Sequence, residues 1–440
     1  MHNQKKPRLR PRDRDAILQS LRAGVTPRTG LQHIQVGRVK EVEALLKDII
    51  TIFDGGSGFR LIIGEFGSGK SFFLQLVRAI ALEKGLVTIH ADLGPDRRLH
   101  ATGGQAKNLY KELMRNISTR TKPDGNALTS VVERFITEAR KHAKNSGFKV
   151  SAIIEKRLDH LTEFVGGYDF AQVINSYWQG HKEDDDILKA DAVRWLRGEF
   201  STKTDARKAL GVRSIVSDAS VYDQLKLLSL FVRQAGYGGL LVVLDEMVNL
   251  YKLSSSKARA SNYEQLLRML NDCLQGTAEH IGFLFGGTPD FLLDPRKGLY
   301  SYEALQSRLA ENSFAKAAGV IDYSSPTLHL ANLAPEELYV LLMNLRHVYA
   351  SGDPEKYLVP DEALTTFLSH CSKTIGEAYF RTPRNTIKAF VDLLSILDQS
   401  EELMWQQLIG EVNVKKEVNT DMPEVEGSAS DKDQLATFQL

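Results

Sequence analysis

The 440-residue sequence is poor in cysteine and in net charge, and each shortage removes a class of protein. Its two cysteines, Cys273 and Cys371, stand far apart inside helical patterns, so neither a disulfide framework nor a cysteine metal site is available. That usage fits a reducing cytoplasm, which is the expected location. A net charge of +1 supplies no global field to draw the chain onto nucleic acid, so any such surface is local. No apolar run approaches the roughly 18–20 residues that span a bilayer. The start of the chain lacks the apolar segment of a signal peptide. What is present is 42% hydrophobic against 25% charged residues, a soluble globular balance over a length that allows two or three domains.

Residues 1–14 are basic, carrying Lys5, Lys6, Arg8, Arg10 and Arg12 with two prolines, and are expected to be a flexible arm. A contact of this arm with a phosphate backbone is the sharper alternative. An amphipathic helix is expected from Asp15, stopped by Gly24 and Pro27. A Val36-Gly37-Arg38 turn then leads into a second helix. FRLIIGEFGSGKS reads as a buried strand, a glycine loop and a helix start, and LVTIHADL closes a βαβ unit. Residues from about 105 to 230 are helical and charged, and an unstructured loop of that length is improbable, so a helical insertion is expected. GLLVVLDE and HIGFLFGGTPD supply two further strands, and after Pro326 the pattern is helical again. A nucleotide-binding domain over 15–325, a helical lid over 326–410 and a disordered polar tail over 411–440 follow from this reading.

Gly64-Glu65-Phe66-Gly67-Ser68-Gly69-Lys70-Ser71 fits the phosphate-loop pattern in full, and it sits between a strand and a long amphipathic helix. Glycines let successive N–H groups turn inward around phosphate oxygens, and the following helix aims its positive end at the same anion. Lys70 is expected on the β and γ oxygens of ATP, and the Ser71 hydroxyl on magnesium. Five aliphatics, Leu240–Leu244, make a strand buried on both faces that ends in Asp245 and Glu246. Ligands of open α/β sheets bind at such strand ends. Asp245 is the expected magnesium partner, directly or through water, and Glu246 the residue that polarises the attacking water.

These motifs, with Gly287-Thr288-Pro289 after a further strand and Thr382-Pro383-Arg384 in the helical region, resemble an AAA+ ATPase. The order resembles the origin-recognition and Cdc6-like branch, in which a turn like Val36-Gly37-Arg38 lies close to the adenine. LRAGVTP…VGR, WLRGE, LDEMVNLY and GTPDFLLD…GLYSYEALQSRL resemble the BREX-system ATP-binding proteins of prokaryotic anti-phage defence. The resemblance implies an α/β AAA+ fold with a central parallel sheet, ATP and magnesium as ligands, and homo-oligomers that act with other defence proteins, with no membrane. It implies a sensor role for Thr288, a trans-acting arginine finger at Arg308 and a lid sensor at Arg384. Each has a structural competitor: Thr288 as a turn cap, Arg308 as a surface residue paired with Glu311, and Arg384 as a solvated helix-start residue. Arg296 is a rival finger. The insertion exceeds a minimal AAA+ core, and no room follows Gln407 for the winged-helix domain that origin-recognition relatives use on DNA. The expected function is a nucleotide-driven switch or remodeller acting on DNA or DNA-bound partners. The alternative is an ATP-gated binding module with little turnover.

Overall fold

The computed structural model describes residues 9–375, 383–400 and 402–411. Five strands, β1 (Ser57–Ile63), β2 (Val87–Asp92), β3 (Leu240–Asp245), β4 (Ile281–Gly287) and β5 (Thr327–His329), form one sheet in the order β2-β3-β4-β1-β5. Every pairing is parallel. Such a sheet must be covered on both faces, because its strands are predominantly apolar and bury side chains on each side.

Alternation along each strand divides the side chains cleanly. Ile62, Leu241, Val243 and Leu284 face the helices Val39–Phe53 and Lys70–Glu83, meeting Leu45, Ile49, Phe73 and Val77. Leu61, Ile63, Val242, Leu244, Phe283 and Phe285 enter the opposite core. Arg60 sits within the interior strand β1 because Asp48 of the helix Val39–Phe53 grips it bidentately, at 2.6 and 2.9 Å.

The expected insertion is mainly helical among the described residues, with seven α-helices from Gln105–Arg115 to Val221–Gln234 between β2 and β3, and with Ser118 bridged antiparallel to Thr88 of β2. It is no separate lobe. Its apolar faces share one core with the sheet. WLRGE is an anchor of that core: Trp195 is fully buried, and its Nε1 donates to the Ser214 carbonyl at 2.9 Å. Gly198 of the same segment adopts φ +69 against the Tyr110 ring, a backbone that favours glycine.

A second core joins helices Pro335–Tyr349, Asp361–Ile375, Pro383–Gln399 and Trp405–Glu411. The first helix, Pro11–Arg22, packs into it through Ile17 and Leu18. That helix starts at Pro11, so residues 11–14 of the anticipated arm are helical. Proline at N1 loses nothing, since that N–H is unpaired anyway. Residues 1–8, Thr382 and the tail from 412 lie outside the described residues. The three-residue β5 contradicts the purely helical reading after Pro326; it is too short to carry an alternation signal. Among the described residues no helix is long and apolar enough to cross a membrane.

Candidate functional site

The strands β1, β3 and β4 end together, and the segments that follow them converge on one cleft of about 380 Å³. The loop after β1 turns through Gly67 at φ +80 and Gly69 at φ +84, left-handed conformations that glycine adopts without strain. The helix starts at Lys70 immediately afterwards, aiming its free N–H groups back at the loop. The Gly64 N–H donates to the Gly287 carbonyl at 3.2 Å, locking the loop to the end of β4. Ser68 is buried, with no partner for its hydroxyl among the described residues.

Lys70 Nζ donates to the carbonyls of Gly64 and Glu65, each at 2.8 Å, leaving one of its three protons for a ligand. Burial lowers its pKa, while Asp245, Glu246 and Glu65 oppose that shift. Ser71 Oγ donates to Asp245 Oδ2 at 2.6 Å, joining residues 174 positions apart. The other Asp245 oxygen accepts from the Glu246 N–H at 2.8 Å, and its carbonyl accepts from Leu93 at 3.0 Å. Glu246 itself is held at φ +57, a left-handed conformation that a side chain rarely adopts, and it lines the cleft.

Thr288 follows β4, the strand between β1 and β3, and lines the cleft between the glycine loop and the acidic pair. Its side chain also accepts from the Phe291 N–H at 3.4 Å, so it caps the short helix Pro289–Leu293 as well. Arg384 lines the cleft from the C-terminal helices, its guanidinium carbon 5.5 Å from the Phe66 ring centre. Arg308 is elsewhere: it is exposed, and its Nη1 donates to the Ala304 carbonyl of its own helix at 2.8 Å. Glu311 meets His329 at 3.4 Å and Lys316 at 3.9 Å. Arg296 is likewise exposed and outside the cleft lining.

Of the turn expected near adenine, Val36 and Arg38 line the cleft, and Gly37 stands behind them against Glu337. Sequence reasoning missed the rest of that end. Leu21, Val25, Ile34, Leu333, Leu341 and Ile387 make it apolar. They come from three segments far apart in the chain, and as isolated aliphatics they carry no chemical signal.

The cleft therefore has an apolar end and a polar end. The polar end joins a glycine loop that leads into a helix N-terminus, a lysine, and a hydroxyl–carboxylate pair of hard oxygen donors. Among the described residues no group of three or more His, Cys, Asp or Glu could hold a metal alone. Magnesium does not require such a cage, because it is commonly carried by one or two carboxylates together with phosphates and water. Residues 9–413 match a protein family described as BREX system ATP-binding protein BrxC/D. No curated protein matches the chain.

Proposed function

Because the chain belongs to the BREX system ATP-binding protein BrxC/D family, with its ATP-binding role in anti-phage defence, we propose that it is an AAA+ ATPase working as a nucleotide-driven switch. The observation that carries this reading is the 2.6 Å contact of Ser71 with Asp245, which brings the phosphate loop and the acidic strand end into one site. The adenine occupies the apolar end, between Val36 and Ile387, and the triphosphate runs along the glycine loop to Lys70. Ser71 and Asp245 would hold magnesium, which would supply positive charge to the phosphates. Glu246 takes the proton of the attacking water. Thr288 orients that water, and Arg384 senses the γ-phosphate from the C-terminal helices. A general base at this position accounts for a left-handed backbone at a non-glycine residue that lines the cleft.

Phosphate release from ATP is expected to require magnesium and to stop when a chelator removes it. Duplex DNA is expected to stimulate release at low salt, with the stimulation shrinking as salt rises, since phosphate contacts are salt-dependent. A preparation that binds ATP but releases no phosphate would sink the hydrolysis reading and leave an ATP-gated binding module.

We further propose that the site is completed across a subunit interface. Arg308 is exposed and outside its own cleft, which suits a guanidinium that serves a neighbour. Neither Arg308→Ala nor Lys70→Ala protein should be active alone, and mixing them should restore part of the phosphate release. No rescue on mixing argues for a site complete in one chain.

A further inference from the structure

Resting on the nucleotide reading above, we propose that Arg38 is a positioning residue for the triphosphate rather than a contact of the base. It holds the Ser68–Gly69 peptide so that the Gly69 N–H is presented to phosphate, and it ties that peptide to the segment entering the C-terminal helices.

The backbone around Arg38 is unusual. Gly37 at φ +61 and Arg38 at φ +59 are consecutive left-handed residues, and only the first is a glycine. Arg38 is the N-cap of the helix Val39–Phe53, yet its side chain caps nothing there. It crosses instead to the phosphate loop. Nη2 donates to the Ser68 carbonyl at 2.6 Å and to the Ala331 carbonyl at 3.0 Å, using both protons of that nitrogen. Burial lowers the Arg38 pKa against the pull of Glu41 and Glu337, but a guanidinium keeps its charge throughout the physiological range. These are therefore charge-assisted bonds.

A peptide unit is rigid and planar, and in the trans form its C=O and N–H point in opposite directions. Fixing the Ser68 oxygen on Arg38 thus fixes the direction of the Gly69 N–H. Gly69, with its positive φ and no Cβ, otherwise has the freedom to let this peptide rotate. The same guanidinium polarises the peptide, which strengthens the N–H as a donor. The loop of a phosphate site binds through N–H directions, so holding one in place before the ligand arrives removes an ordering cost from binding.

The second carbonyl extends the consequence. Ala331 follows β5 and precedes the helix Pro335–Tyr349, whose Glu337 receives the Ala334 N–H at 2.9 Å and packs against Gly37. The turn 37–38 is therefore held from both sides. A phosphate that shifts the Ser68–Gly69 peptide pulls on the start of the C-terminal helices through one side chain.

The experiment compares ATP, adenosine and inorganic tripolyphosphate as ligands of the full chain, unaltered and with Arg38→Ala or Arg38→Gly. Glycine admits the left-handed backbone, so Arg38→Gly removes the guanidinium while relieving strain at that position. Both variants should bind ATP and tripolyphosphate about tenfold more weakly, by a common factor, with adenosine changed by less than about twofold. A merely structural loss would weaken all three ligands together. Adenosine weakened as much as ATP, or ATP affinity unchanged in both variants, overturns the assignment of Arg38. Unaltered protein that binds neither ATP nor tripolyphosphate overturns the nucleotide reading itself.

Discussion

Glu246→Gln is expected to slow phosphate release by about 10²- to 10³-fold while leaving ATP affinity nearly intact. The substitution keeps the size of the side chain and its capacity to hydrogen-bond a water. It removes only the ability to take a proton, because an amide is not a base at neutral pH. The N–H of residue 246 is backbone, so its 2.8 Å bond to Asp245 Oδ1 survives, and with it the contact of Asp245 with Ser71. Binding and turnover should therefore separate. Single-turnover release and equilibrium ATP binding on the same preparation measure the two, and solution mass with ATP reports whether the trapped state is an oligomer. Release unchanged in Glu246→Gln would assign the proton to another group and remove the reason for a left-handed carboxylate at this position.

Local geometry was legible in the sequence wherever consecutive residues impose it. The loop 64–71 is such a case, since its curl needs glycines at set intervals and its helix must follow at once. The strand Leu240–Asp245 is another, because five aliphatics in succession leave no exposed face. Three-dimensional convergence was not legible. Ile387 and Leu341 line the same cleft as Leu21, yet each reads as an ordinary core position of its own helix. The resemblance of its turn places Arg38 near the adenine, but nothing in its spacing tells that its guanidinium also reaches the Ser68 carbonyl. A side chain of that length reaches groups that no spacing rule encodes. WLRGE is not a motif that phosphate chemistry requires, and the structure gives it a packing role: Trp195 and Leu196 are buried in the core that the helical insertion shares with the sheet. Family-specific residues of this kind report on the core as readily as on the site.

Gly286→Ala is expected to cost about 1–3 kcal/mol of stability and to reduce phosphate release by at least about 10²-fold in the protein that remains folded. Gly286 lies in β4, and its φ is not in the left-handed region, so the backbone itself tolerates alanine. The obstacle is what a Cβ would meet. It would overlap Asp245 Oδ1 and lie 2.8 Å from Leu74 Cδ1. Leu74 belongs to the helix that begins at Lys70, and Asp245 holds Ser71 in the first turn of that same helix. The methyl group therefore drives apart the two elements whose contact assembles the site. Asp245 yields most readily, since rotating its side chain is cheaper than shifting a packed helix, and its rotation breaks the 2.6 Å bond. Gly282→Ala supplies the control. It lies on the same strand, and its Cβ would press on Ile52 and Leu241, remote from the cleft. Thermal unfolding should detect both substitutions. Phosphate release per folded molecule should detect Gly286→Ala alone, and an equal loss in the two would mean that general strain in β4, not displacement of Asp245, sets the activity.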